Sequence, residues 1–185
     1  MKRTITFAAA LAFAGAMVAA QPAPQSVGLA AGLQRSYEGI KRNLTEMAEK
    51  MPEEHYGFKP TPEVRAFGQL MGHAANSAYN RCSAARGIPN PNQGKNLEEL
   101  TTKAEIVKAL ADHFAFCDEA YKMLTDANAG ELMTMGRNQQ ARGSILSDNI
   151  SHDNEMYGTG VVYMRLKGLV PPSTERMQQM RRPGL

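Results

Sequence analysis

The sequence predicts an all-α protein built around four helices. Apolar residues recur at intervals of three and four positions along four stretches, which is the periodicity of one buried helix face. Residues that begin or end helices flank these stretches, and no run alternates as a half-buried strand would. With 185 residues, 43% of them hydrophobic, the chain is suited to one domain with a sizeable core.

The start of the chain has the features of a secretory signal peptide. Lys2 and Arg3 precede an apolar run over residues 6–18, and small side chains follow. We expect cleavage of residues 1–20 before Gln21 and a periplasmic or secreted mature protein. A membrane anchor is the alternative, but the run is shorter than the ~20 residues that span a bilayer. Stable membrane insertion is therefore not expected after cleavage.

The charge balance argues against a nucleic-acid partner. Without Lys2 and Arg3, the 21 basic residues of the chain fall to 19, against 18 acidic residues. A nearly neutral mature chain gives no electrostatic support for nucleic-acid binding. The arginines of residues 173–185 lie in a segment with proline and glycine, for which we predict a flexible, solvated tail.

The first helix is predicted to follow a short extended linker, residues 21–28. Pro52 should end it, because the residue before a proline is biased away from the helical conformation. Its apolar stripe consists of Leu29, Leu33, Tyr37, Ile40, Leu44, Met47 and Met51.

The second helix carries the first histidine of interest. The motif Thr61-Pro62-Glu63 combines a side-chain cap, a first-turn proline and an acid near the positive helix end, so we predict a helix over residues 62–86. Gly87 should close it. His73 lies beside the apolar line, where a single histidine is usually a hydrogen-bonded core residue. A second inward histidine on another helix would favour metal ligation.

The third helix should open at the capping box formed by Thr102 and Glu105, after a Pro/Asn/Gly-rich connection over residues 88–100. His113 lies on its apolar stripe, and a structural role is the favoured interpretation there. Residues 131–143 are poorly patterned and predict a loop before the last helix.

The last helix is the most informative stretch, because polar residues interrupt its apolar stripe. An unpartnered buried amide or imidazole costs roughly 1–3 kcal/mol, so Asn149 and His152 require a hydrogen-bond partner or a ligand. Gly168 and the prolines after it should end the helix near Lys167. The stripe consists of Ile145, Asn149, His152, Met156, Thr159, Tyr163 and Leu166.

Two segments carry a resemblance to a known family. Residues 152–173, HDNEMYGTGVVYMRLKGLVPPS, resemble the last helix of the DinB/YfiT-like metalloenzyme family, with its H-x-x-x-H-x-G pattern and Gly-x-x-Pro-Pro ending. Residues 52–77 resemble the segment that leads into the family's second helix and first histidine ligand, and residues 103–125 are also similar. The resemblance implies a four-helix bundle over residues 29–172, running up-down-down-up with a long crossover between helices 2 and 3. It also implies metal-dependent hydrolysis or thiol transfer, and it is compatible with a homodimer.

The resemblance also implies a metal site, which is incomplete here. Three histidine ligands of metal-binding members fall on His73, His152 and Met156, so a thioether replaces the third imidazole. A thioether is a weak ligand for zinc, nickel or manganese, whereas a His2Met set would suit copper, a less favoured alternative. The candidate substitutes for the third ligand are Glu155, Asp148 and His113.

Three functions therefore stay open for the exported domain. The favoured one is an unspecified activity at an incomplete metal site; the others are a metal-dependent hydrolase or thiol transferase, and a copper-binding module. The chain could also hold no ion, in which case Asn149 and the histidines would form a polar pocket for a small molecule.

The two cysteines provide a clue to topology. Cys82 and Cys117 come to similar depth only if the second and third helices run parallel, and the connection between them is long enough for that. This order agrees with the topology that the family implies. A disulfide is then a hypothesis for an exported chain, and two small buried apolar side chains are the alternative. Neither cysteine has the surroundings of a catalytic nucleophile.

Overall fold

A computed structural model describes residues 27–181, which form five α-helices and one two-stranded antiparallel sheet. The predicted signal peptide, residues 1–20, lies outside the described residues, as do most of the 21–28 linker and residues 182–185. The elements are α1 (Leu29–Lys50), α2 (Phe67–Arg86), α3 (Lys103–Lys122), β1 (Leu132–Met135), β2 (Asn138–Ala141), α4 (Arg142–Leu166) and α5 (Pro172–Met180).

Several helix ends confirm the sequence signals. Helix α1 ends at Lys50, two residues before Pro52. The capping box of α3 is formed, because the Thr102 hydroxyl accepts from the Glu105 amide at 3.3 Å and the Glu105 carboxylate accepts from the Thr102 amide at 3.2 Å. Gly87 closes α2 with a φ of 68°, a left-handed conformation that glycine adopts without strain.

The predicted start of α2 is wrong by about five residues. The Thr61-Pro62-Glu63 segment forms turns, and the helix begins at Phe67. The Phe67 and Gly68 amides donate to the Phe58 and Tyr56 carbonyls at 3.0 and 2.8 Å. These loop carbonyls satisfy first-turn donors, so the helix begins where the chain folds back rather than at the local sequence signal.

The all-α prediction needs correction, because residues 131–143 are not a loop. Strands β1 and β2 pair through a two-residue turn, Gly136-Arg137, between Met135 and Asn138. Such a turn requires positive φ, and Gly136 provides a φ of 62°. Each strand has four residues, too few for an alternating pattern to stand out in the sequence.

The flexible tail predicted for residues 173–185 is also corrected, because the chain forms α5 as far as Met180. The Tyr157 hydroxyl donates to the Ser173 hydroxyl at 2.8 Å and accepts from the Ser173 amide at 3.0 Å. Glu175 and Arg176 form ion pairs with α1. These contacts hold α5 against α4 and α1, although few residues of α5 are apolar.

Contacts along α3 show its direction relative to α1 and α2. Lys103, at the start of α3, donates to the Met51 carbonyl just past the end of α1 at 2.8 Å, so α1 and α3 run antiparallel. Helices α2 and α3 run parallel. Gly68 lies against Ile106 near the starts of the two helices, and Cys82 is joined to Cys117 toward their ends.

Helix α4 runs antiparallel to α2 across the core. Arg142, at its start, donates to the Ala85 carbonyl near the end of α2, and Tyr163 donates to the Arg65 carbonyl just before α2 at 2.7 Å. The largest fully buried side chains lie among these helices and include Tyr37, Phe67, Ile40, Leu44, Met47, Met71, Ile145, Leu146 and Met164. Among residues 27–181, no helix has the length and apolar character needed to cross a membrane.

Candidate functional site

The buried face of α4 is wider than the predicted stripe and includes a carboxylate. Asp153 is fully buried and Leu166 is exposed, and the predicted residues that are buried are Ile145, Asn149, Met156 and Tyr163. His152 lies at the edge of this face, with 14% of its side chain exposed. Asp153 was not predicted to be buried, because the predicted apolar stripe included the preceding residue, His152, instead. The line Leu146, Ile150, Asp153, Tyr157, Gly160 and Met164 has the same spacing and would have identified it.

The antiparallel packing of α2 on α4 brings two histidines together. The Nε2 atoms of His73 and His152 lie 3.3 Å apart, and their ring centroids are separated by 5.2 Å. The two rings are tilted by 48°, so they meet edge to edge instead of stacking. The predicted convergence of the two imidazoles is therefore present in the structure.

Glu98 supports His73 and was not anticipated from the sequence. Its Oε1 atom lies 2.7 Å from Nδ1 of His73, and its Oε2 atom lies 2.8 Å from Nε of Arg65. Partial burial acts to raise the pKa of the Glu98 carboxyl, but the hydrogen bonds from Arg65 and His73 outweigh it and lower the pKa. An ionised carboxylate only accepts, so Nδ1 of His73 carries the hydrogen, and in the neutral form of the ring the Nε2 lone pair faces His152.

Close backbone packing places Glu98 beside α2. A Cβ at Gly72 would lie 2.3 Å from the Leu97 carbonyl oxygen, so only glycine permits this approach. The side-chain oxygen of Asn76 accepts from the Leu97 amide at 3.1 Å, and that of Asn96 accepts from the Glu98 amide at 3.1 Å. Glu98 lies in a single 3-10 turn, Leu97–Glu99, which is too short to form an apolar stripe, so no periodic signal could have found it.

A buried hydrogen-bond chain adjoins His152. The Asn149 amide nitrogen donates to Oδ2 of Asp153 at 3.1 Å and to the Tyr121 hydroxyl at 3.2 Å. Burial raises the pKa of Tyr121, so its hydroxyl stays protonated and donates to the Leu146 carbonyl at 2.8 Å. Burial also raises the pKa of the Asp153 carboxyl. The amide nitrogen of Asn149 therefore has two partners, whereas its Oδ1 atom has none among the described residues.

Three buried atoms in this cluster are unpaired among the described residues: Oδ1 of Asn149 and two atoms of complementary character on the next residues of the face. Nδ1 of His152 and Oδ1 of Asp153 are both buried without a hydrogen-bond partner among the described residues. They lie 4.0 Å apart, beyond hydrogen-bond distance.

The other predicted metal ligands occupy different surroundings. Met156 is buried, one helical turn after His152. Asp148 and Glu155 are exposed on α4. Within residues 27–181, no group of three His, Cys, Asp or Glu side chains is arranged to hold an ion.

His113 lies in an apolar part of the core. Its ring is fully buried, with its centroid 3.9 Å from that of Phe114 and 6.2 Å from that of Tyr79. Burial lowers the pKa of His113 to about 3. An imidazole held neutral among aromatic rings fits the structural role favoured from the sequence.

Cys82 and Cys117 form a disulfide in the structure, with their Cα atoms 5.3 Å apart. It joins the parallel helices α2 and α3 one helical turn after Tyr79, the α2 residue whose ring lies beside His113. The disulfide is therefore at a different interface from the histidine pair.

The geometry of the histidine pair fits two ligands of one metal ion. Zinc binds imidazole nitrogen at about 2.0–2.1 Å with tetrahedral angles, which places two ligand nitrogens roughly 3.4 Å apart. The observed separation of 3.3 Å is close to that value. A carboxylate on the far nitrogen of a histidine, as Glu98 provides for His73, is also typical of metal sites. The donor set supplies two nitrogens and, at most, one thioether.

Comparisons with known proteins point to one superfamily. The sequence profile described as the DinB superfamily matches residues 36–159. No curated protein matches the chain. Solved structures do: a DinB-like protein from Bacillus cereus has a TM-score of 0.66 at 19% identity, covering 76% of this chain and 94% of that one.

Two further structures show the same likeness. A DinB-like protein from Bacillus subtilis has a TM-score of 0.61 at 17% identity, covering 74% of this chain and 92% of that one. A conserved protein from Enterococcus faecalis has a TM-score of 0.62 at 13% identity, covering 76% of this chain and 98% of that one. At these identities the structural likeness speaks for the fold alone.

Proposed function

Because the chain belongs to the DinB superfamily, we propose that it is an exported DinB-like protein with an incomplete divalent-metal site. His73 and His152 supply two nitrogens, and Met156 occupies the third family position. The observation that carries the proposal is the 3.3 Å separation of the two Nε2 atoms, which suits one shared ion. Export rests on the signal-peptide features of residues 1–20.

The relative helix directions support the finer topology. Helix α2 runs parallel to α3 and antiparallel to α4, and α1 runs antiparallel to α3. This arrangement is compatible with an up-down-down-up bundle of the four long helices, to which the hairpin and α5 are additions. The site lies at the α2–α4 interface of that bundle.

The donor set predicts weak, open coordination. Two imidazoles and a soft thioether leave a harder divalent ion with at least one position for water or a ligand. An ion held there would act as a Lewis acid on a bound water or thiol. The chain's own contribution is orientation: Glu98, fixed by Arg65, holds the His73 ring with its Nε2 atom toward His152.

Metal titration of the purified mature protein tests the proposal. We expect one equivalent of zinc or nickel to bind by calorimetry, and His152→Ala to abolish that binding because one of two nitrogens is lost. His55→Ala is the matched control, since it removes the histidine of a short helical turn outside the site. Loss of binding in both variants, or in neither, would contradict the proposed site.

Met156→His sharpens the same test. If the family geometry is kept, a third imidazole should raise zinc affinity by at least tenfold. Unchanged affinity would refute Met156 as the third ligand position. Binding of copper alone by the unmodified protein would favour the copper-binding module instead, and absence of binding by zinc, nickel, manganese and copper would reject the metal site.

A further inference from the structure

We propose that Asp153 holds His152 in the tautomer that carries its hydrogen on Nδ1, so that both histidines direct Nε2 lone pairs at one point. The inference deepens the proposed metal site and rests on it for its functional meaning. It assigns a positioning role to a residue that is not itself a metal ligand.

The unpaired atoms of the two residues are the first support. Nδ1 of His152 and Oδ1 of Asp153 are buried, lack other partners among the described residues, and lie 4.0 Å apart. Leaving either atom unpaired costs about 1–3 kcal/mol. A side-chain shift of about 1 Å would bring them to hydrogen-bond distance, with Nδ1 donating to the carboxylate.

The position of Asp153 is fixed from its other side. Asn149 donates one amide hydrogen to Oδ2 of Asp153 and the other to the Tyr121 hydroxyl, which itself donates to the Leu146 carbonyl. Both amide hydrogens of Asn149 and the hydroxyl hydrogen of Tyr121 are therefore already donated to acceptors. The Oδ1 atoms of Asp153 and Asn149 are the acceptors left unused, and that of Asp153 lies 4.0 Å from Nδ1 of His152.

The alternative tautomer makes the surroundings of His152 worse. With its hydrogen on Nε2, His152 would donate to His73 at 3.3 Å, at the long end of hydrogen-bond distances. With Asp153 ionised, the Nδ1 lone pair would then face a carboxylate oxygen, placing two buried acceptors against each other. The Nδ1–H tautomer removes that conflict and reproduces at His152 the support that Glu98 gives to His73.

The consequence concerns the space between the two rings. Two Nε2 lone pairs that converge at 3.3 Å repel each other until a cation lies between them. Asp153 and Glu98 would thus hold both Nε2 lone pairs in the orientation for metal binding in the metal-free protein. This reduces the reorganisation that binding requires.

Histidine tautomers can be measured directly in the metal-free protein. Long-range proton–nitrogen NMR spectra of chelator-treated protein, at a pH near 8 where imidazoles are neutral, distinguish Nδ1–H from Nε2–H rings. The signals of His152 are assigned by their loss in His152→Ala. We expect Nδ1–H for His152; an Nε2–H ring would overturn the inference.

Asp153→Asn gives a sharper outcome than simple loss of function. Asn149 must still donate to an oxygen, so the new side-chain NH2 would face His152 and favour the Nε2–H tautomer. We expect that switch together with a roughly 10–100-fold weaker zinc Kd. Asp148→Asn is the matched control, because Asp148 is exposed on the same helix and should change neither readout. An unchanged His152 tautomer in folded Asp153→Asn would overturn the inference.

The two proposals fail separately. Nδ1–H at His152 without any metal binding would reject the proposed function and keep the role of Asp153. Zinc binding by a protein whose metal-free His152 is Nε2–H would do the reverse. If Asp153→Asn does not fold, the tautomer of the unmodified protein decides alone.

Discussion

Helix α2 packs against α3 on one side and α4 on the other, and the two interfaces treat buried histidines in opposite ways. At the α2–α4 interface, His73 and His152 meet, with the carboxylates of Glu98 and Asp153 nearby. At the α2–α3 interface, His113 lies among aromatic rings and neither of its nitrogens has a side-chain partner in the described residues.

The difference shows that buried histidines of one fold can have polar or apolar surroundings. All three histidines border apolar helix faces in the sequence, but only two have a carboxylate beside the ring: Glu98, from a distant segment, for His73, and the adjacent Asp153 for His152. His113 instead shares its interface with a disulfide, so the α2–α3 interface is covalently crosslinked and the α2–α4 interface carries the histidine pair with its carboxylates. Three perturbations test this division, from the largest expected effect to the smallest.

Removing the disulfide should destabilise the protein without affecting the histidine pair. A crosslink between residues separated by 35 positions contributes about 4 kcal/mol on the chain-entropy estimate. The double variant Cys82→Ala, Cys117→Ala should lose roughly that free energy of unfolding in urea, and its zinc affinity at 25 °C should stay within twofold.

Reductant supplies the control for this experiment. It should lower the stability of the unmodified protein and leave the double variant unchanged. Two free thiols in the intact mass of the exported protein would contradict the disulfide, and a large loss of zinc affinity in a folded variant would contradict the division between the interfaces.

His113 should make stability depend on pH below neutrality. Burial lowers its folded-state pKa to about 3, whereas the unfolded chain binds a proton near the ordinary value of about 6.5. Its contribution is therefore complete above about pH 6.5 and declines as pH falls toward 3, by about 1.4 kcal/mol per pH unit. Between pH 7 and pH 4 the loss should be roughly 3 kcal/mol.

The measurement is urea unfolding across that pH range for the unmodified protein and His113→Leu. The leucine variant should lack this part of the pH dependence, because the buried group no longer titrates. His55→Gln, in a short turn after α1, serves as the control and should retain it. Identical slopes for the unmodified protein and His113→Leu would show that His113 is not held neutral by burial.

Gly72→Ala should damage the other interface through the loop that carries Glu98. The added Cβ would meet the Leu97 backbone at 2.3 Å, which a flexible side chain cannot relieve. Overpacking of this kind costs about 1–3 kcal/mol. Displacement of the loop should also separate Glu98 from His73 and weaken zinc binding.

Gly39→Ala is the matched control, since no atom lies within 4 Å of a Cβ at that helical position. It should stabilise α1 by up to about 1 kcal/mol, because glycine is a poor helix residue. Equal stability and zinc affinity for the two alanine variants would show that the loop does not support His73.

Much of the helical framework could be predicted from the sequence, because local signals control it. The capping box at Thr102 and Glu105, the stop at Pro52 and the glycine at position 87 each act on backbone groups within a few residues. The histidine pair was also predictable, since its members lie on inward faces of periodic helices and match a family pattern.

Only the tertiary structure decided what surrounds that pair. Glu98 reaches His73 because Gly72 lets a distant segment approach α2. Asp153 is buried because packing covers a wider face of α4 than the predicted stripe. The start of α2 and the order of α5 likewise depend on partners from elsewhere in the chain. Local sequence determines which segments become helices, whereas the partners of a buried polar atom depend on which segments meet, and that is settled by packing over the whole chain.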